Sequence, residues 1–86
     1  MKPFKLAIAY EVVEFFQQRD GRDRKTIREA LGSLREFPHN GKDLIERDPS
    51  GREHFVNFRG KFAIKYWIDE WEREVKVIDI KLRDRR

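Results

Sequence analysis

The sequence contains no cysteine, which excludes disulfide staples, thiolate metal sites and cysteine nucleophiles. It also lacks any apolar run long enough to span a bilayer. The N-terminal MKPFKLAIAYE carries no signal-peptide cleavage pattern, so a cytoplasmic protein with no membrane partner is expected. No metal-ligand constellation, phosphate-binding glycine loop or Ser/His/Asp arrangement is present, and neither a metal nor a cofactor is expected. Repeats, low-complexity segments and linkers are missing too, and 86 residues leave room for one domain, 1–86, with one core. What is abundant is charge, at 42% of residues, with a formal net charge of +4 and a pI near 9.6. Two Trp, two Tyr and seven Phe cluster with the aliphatic residues, which marks a folded chain rather than a disordered one. The positive balance favours acidic partners without choosing between nucleic acid and protein.

The spacing of apolar residues divides the chain into elements. FKLAIA at 4–9 alternates loosely and predicts a first strand. From Glu11 to Arg19 the period becomes helical, with Val12, Val13 and Phe16 on one face. Gly21 stands where a C-cap glycine belongs, and Asp23 then caps a second helix whose buried stripe is Ile27, Ala30, Leu31 and Leu34. Phe37 closes that stripe and Pro38 ends it. Residues 38–51 read as a connector, with turn signals at Asn40-Gly41 and Asp48-Pro49-Ser50-Gly51 and with Leu44 and Ile45 pinning the loop to the domain.

Three β-like runs follow, REHFVNFRG, KFAIKYWID and EVKVIDIKLR, joined by turns at Arg59-Gly60-Lys61 and Asp69–Arg73. The element order is β-α-α-β-β-β. The fold class expected is α+β: an N-terminal strand, a two-helix hairpin and a three-stranded antiparallel meander, with the helices on one face. In the middle run Phe62, Ile64, Tyr66 and Ile68 point to the core, leaving Ala63, Lys65 and Trp67 on the open face. In the last run Ile78, Ile80 and Leu82 are assigned to the core and Val77, Asp79, Lys81 and Arg83 to the open face. The preceding run has two registers. A two-residue turn puts His54, Val56 and Phe58 beside Lys65, whereas a three-residue turn puts Phe55, Asn57 and Arg59 there.

In this order and spacing the chain resembles the RelE/ParE superfamily of toxins from bacterial type II toxin–antitoxin modules. The resemblance covers nearly the whole chain. It runs through the opening strand, the hairpin ending in Phe37-Pro38, Gly41 followed by Leu44, the Gly51 turn, the hairpin RGKFAIKYWID and the final Lys81-Leu82-Arg83. Gly60, Phe62, Ile64, Tyr66 and Ile68 match the structural positions of the family's hairpin. The resemblance implies a cognate acidic antitoxin as partner, with Trp67 in its contact surface. It also implies one of two targets: the ribosome and its mRNA, cut without a metal by RelE-like members, or DNA gyrase, poisoned by ParE-like members.

The chain departs from the nuclease pattern. The family's hairpin arginines fall on Val56, Phe58 and Ala63, all apolar, and the C-terminal tyrosine or histidine of many nucleases has no counterpart. Arg83 matches the C-terminal arginine, and His54 falls where some members carry a basic group. The candidate catalytic set is therefore His54, Lys65, Lys81 and Arg83, with Arg59, Lys61, Arg85 and Arg86 as candidate RNA-binding residues. Each also has a plain reading, as a solvated strand face or a soluble tail. The function implied first is inhibition of translation by ribosome-dependent mRNA cleavage. The alternatives are a gyrase-directed toxin without nuclease activity and a non-toxic RNA- or protein-binding module that kept the fold.

Overall fold

The computed structural model describes residues 2–83. Strand β1 (Lys5–Ile8) leads into helices α1 (Tyr10–Gln17) and α2 (Gly21–Glu36), followed by strands β2 (Leu44–Arg47), β3 (Glu53–Arg59), β4 (Phe62–Asp69) and β5 (Glu74–Leu82). The strands form one sheet in the order β1-β5-β4-β3-β2. Only β1, which lies beside β5, runs parallel to its neighbour. Both helices pack on the same face, as the α+β expectation requires.

The helix pair forms because its apolar spacing suits a covered face. Val12 of α1 and Ile27, Ala30 and Leu34 of α2 are buried against Phe55, Phe62, Ile64, Tyr66, Val75, Val77 and Ile80 of the sheet. The junction between the helices differs from the sequence reading. Asp20, not Asp23, is the N-cap of α2, its carboxylate accepting the Asp23 backbone N–H at 2.9 Å. Gly21 is the first residue of α2 rather than a left-handed C-cap. Asp23 itself is buried, because it faces Arg19 and Lys61. Phe37 does not close the apolar stripe. It lies at the C-cap and is 60% exposed, while the following Pro38 is the buried residue.

The segment expected to be a connector contains a fifth strand. Leu44–Arg47 pairs antiparallel with β3, from Leu44 opposite Val56 to Arg47 opposite Glu53. All four residues are exposed, so the segment shows no alternation of burial that a sequence pattern could register. The turn after it is real. Asp48 Oδ1 accepts from the Ser50 hydroxyl at 2.6 Å and from the backbone N–H groups of Ser50 and Arg52 at 2.9 and 3.0 Å.

The second departure is a β-bulge. Lys65 pairs with Asp79 and Tyr66 with Val77, so Ile78 has no opposite residue. The extra residue shifts the phase of β5 by one. Val75 and Val77 face the core, Ile78 does not share their burial, and Ile80 regains the core beyond the bulge. Val77 and Ile78 therefore exchange the roles assigned from strict alternation. Leu82, at the strand's end, is half exposed rather than in the core.

Candidate functional site

The β3–β4 hairpin decides what the uncovered face of the sheet carries. Phe58 pairs with Ala63 and Arg59 with Phe62, which leaves Gly60 and Lys61 as a two-residue loop. Gly60 takes a φ of +56°, a left-handed value that tight hairpin loops demand and that glycine adopts without strain. The two-residue register is thus the one formed. It brings His54, Val56 and Phe58 to the open face beside Ala63 and Lys65.

Four strands then build one cleft of about 280 Å³. Val56 and Ala63 form its floor, at 6% and 7% exposure, although no helix covers this side. Leu44, Phe58 and Leu82 extend the apolar lining, and Lys65, Lys81 and Arg83 supply the positive charge. The Arg83 guanidinium lies 4.2 Å from the centre of the Phe58 ring, a cation–π contact that fixes its position. The Arg83 backbone N–H also donates to the Lys61 carbonyl at 2.8 Å.

Two carboxylates join these cations. Glu46 Oε1 is 3.0 Å from Lys65 Nζ. That hydrogen bond, with the attraction of the ammonium and the fields of Lys81 and His54, holds the Glu46 carboxyl below the usual range. Asp79 lines the same cleft directly opposite Lys65 in the strand pairing. Neither was singled out from the sequence. Glu46 lies on the strand that carried no pattern, and Asp79 was assigned to the open face without a role.

The candidate residues separate into groups. Lys65, Lys81 and Arg83 come together in the cleft. His54 shares their face but turns to the β2–β3 turn, where its Nε2 lies 3.3 Å from Asp48 Oδ2. Arg59 and Lys61 do not reach the cleft. Arg59 is paired with core-facing Phe62 and donates to Ser33 Oγ at 3.3 Å, and Lys61 is 3.2 Å from Asp23 at the start of α2. Alternation explains the first, since a residue next to Phe58 must face the other way. Arg85 and Arg86 lie outside the described residues. Trp67 is half-buried rather than open, with the Arg52 guanidinium 4.1 Å and the Lys76 ammonium 5.6 Å from its ring. Among the described residues, no group of three His, Asp or Glu side chains is placed to hold a metal, and no helix is long and apolar enough to cross a membrane.

The molecule is thus a single mixed sheet with two helices on one face and a cationic cleft on the other. Two solved structures carry the same fold. The toxin–antitoxin complex RelBE2 from Mycobacterium tuberculosis superposes with a TM-score of 0.79 at 20% identity, covering 94% of this chain and 99% of that one. The archaeal RelE–RelB complex from Pyrococcus horikoshii OT3 gives 0.78 at 16% identity, covering 98% and 99%. No family model and no curated protein matches the sequence. The RelE fold of this chain thus rests on backbone geometry, with most side chains exchanged.

Proposed function

We propose that this protein is the toxin of a type II toxin–antitoxin pair and that it inhibits translation by cutting mRNA on the ribosome. The observation that carries the reading is the convergence of Lys65, Lys81 and Arg83 in one cleft, with the ionised Glu46 carboxylate at 3.0 Å from Lys65. RNA cleavage without a metal needs a base for the ribose 2′-hydroxyl, cations around the pentacoordinate phosphate and an acid for the departing 5′-oxygen. In this reading Glu46 accepts the 2′-hydroxyl proton. Arg83, held against Phe58, faces the phosphate oxygens, and the ammonium of Lys65 or Lys81 protonates the leaving oxygen as the P–O5′ bond breaks. His54, engaged by Asp48, stands beside this set and outside it.

Inducible expression with primer extension on cellular mRNA tests the reading, and codon-phased cuts are the expected result. Arg83→Ala and Glu46→Gln are each expected to slow cleavage on the order of 10²-fold, the usual loss for a preorganised group acting in the transition state. If Lys65→Ala and Arg83→Ala both fold and stay as toxic as the parent, this cleft is not the active site. A second reading has its own observation: the apolar floor of Val56 and Ala63 and the neighbouring Phe58 suit a protein surface better than a phosphate. Gyrase-linked DNA breaks without mRNA cuts would select a gyrase-directed toxin, and unaffected growth would select a binding module.

The partner proposed is an acidic antitoxin. The neighbours of this fold were solved as toxin–antitoxin complexes, and the net charge of +4 suits an acidic segment laid across the basic cleft. Co-expression with the adjacent reading frame should yield a co-purifying complex. Recovery of a free, monodisperse protein from that co-expression would count against the pairing.

A further inference from the structure

We infer that the open-face cleft reads a nucleobase, and that Asp79 is its specificity-determining residue, favouring bases that carry an exocyclic amino group over uracil. The inference rests on the reading of this cleft as an RNA site and adds which part of the RNA it recognises. A site built only to grip phosphates is lined by cations and backbone N–H groups. This one differs in two ways. Its floor, Val56 and Ala63, is apolar and almost fully covered, and its wall contains a carboxylate, Asp79, that would repel a phosphate.

The two carboxylates of the cleft are not equivalent. Glu46 is committed to Lys65 at 3.0 Å. Asp79 is exposed and takes part in no ion pair or hydrogen bond among the described residues, so its oxygens are available as acceptors. An ionised carboxylate accepts hydrogen bonds and donates none. Cytosine N4, adenine N6 and guanine N2 offer it a donor, whereas the edge of uracil presents carbonyl oxygens on either side of one ring N–H. The cleft, at about 280 Å³, lies just below the range of roughly 300–1,000 Å³ usual for small-molecule sites. That suits one base rather than a folded RNA element. The base lies on the apolar floor beside Phe58, an aromatic ring of the kind on which bases stack. Lys65 and Lys81 then hold the flanking phosphates.

Equilibrium binding of hexacytidylate and hexauridylate to the purified chain tests this without the ribosome. The parent should prefer hexacytidylate by about tenfold, within the discrimination expected of an acceptor placed on a cytosine amino group. Asp79→Ala should bring the ratio close to one, chiefly by raising the affinity for hexauridylate, since a negative charge leaves the cleft. Asp79→Asn, which offers a donor as well as an acceptor, should admit hexauridylate. Arg83→Ala should weaken both ligands together and preserve the ratio. Both side chains are exposed, and thermal melts verify that each of the three variants folds. A parent ratio near one, an unchanged ratio in Asp79→Ala, or no binding of either oligomer overturns the inference. Failure of the toxin reading looks different: mRNA stays uncut on induction while the binding ratio and its loss in Asp79→Ala remain.

Discussion

Asp23 illustrates how a buried charge is retained when its partners come from both sides. Its carboxylate receives Arg19 Nη2 at 2.8 Å from the junction between the helices and lies 3.2 Å from Lys61 Nζ in the β3–β4 turn, tying helix to hairpin. Burial pushes its pKa up, but the hydrogen bonds of Arg19 and Lys61 and their charges outweigh it and hold the group below 3.8. A depressed folded value contributes stability above the unfolded pKa, and that share is lost as pH falls through the folded value. Asp23→Asn should therefore be less stable at neutral pH and should show a shallower acid decline. Denaturant midpoints between about pH 2 and pH 7 check this. Tyr66 has the opposite sign. Burial, aided by Asp43, pushes its phenol up to about 12 from 10.0, and its hydroxyl donates to the Pro38 carbonyl at 3.1 Å. Its share of stability is present below pH 10 and is lost as pH rises towards 12. Tyr66→Phe should cost about 1 kcal/mol at neutral pH and remove that part of the alkaline decline. At Gly41, an added Cβ would come within 2.6 Å of Leu34 Cδ2, and Leu34 is packed in the core. Gly41→Ala should destabilise by about 1–3 kcal/mol through overpacking, read as a drop in the unfolding midpoint.

Among the elements, β5 departs furthest from regular pairing. The bulge at Ile78 allows Val75 and Val77 to face the helices while Ile80 does so on the far side. Deleting Ile78 restores regular pairing and keeps both sets toward the helices, because Val77 stays opposite Tyr66 and Ile80 opposite Ile64. The deletion variant should therefore fold, with a circular dichroism spectrum close to the parent's, because the core face of β5 is then a plain period-two pattern. The same bulge limits what a sequence pattern can show. In β4, Phe62, Ile64 and Tyr66 are buried on one side and Lys65 sits on the other, so period-two reading places that strand correctly. In β5 the period is broken midway, and strict alternation misassigns Val77 and Ile78. In β2 the four residues are all exposed, and the turn signals on either side were the available cue. Lys65, Lys81 and Arg83 were legible because they are cations on strands with a clear face. Glu46 and Asp79 were not, because their relevance depends on pairings between strands distant in sequence.

At the scale of the whole molecule, the two faces of one sheet differ in what they carry. Helices and core occupy one side. The other is left to side chains that sit four strands across yet within one cleft. Arg59 and Lys61, which composition alone would enrol in RNA binding, are spent on the helix side, against Ser33 and Asp23. Three cations in the cleft set the expected salt dependence. With about 0.7 counterions released per phosphate contact on a single strand, log K against log salt should slope near −2. Arg83→Ala should reduce that slope by about 0.7, whereas Arg59→Ala should leave it unchanged. A titration series from low to moderate salt separates the two.

The two tryptophans occupy sharply different surroundings, and this makes the chain its own optical reporter. Trp71 is 93% exposed at the tip of the β4–β5 loop, away from any cleft. Trp67 is two residues along the strand from Lys65, on the same face, and lies under the Arg52 guanidinium. Replacing Trp71 with Phe leaves one indole, whose emission is sensitive to whatever lifts Arg52 or covers the sheet. A strand of RNA or a bound protein segment on the open face would change that emission, and a ligand confined to the helix side would not. Occupancy of the working face can thus be followed in unlabelled protein, by colour alone.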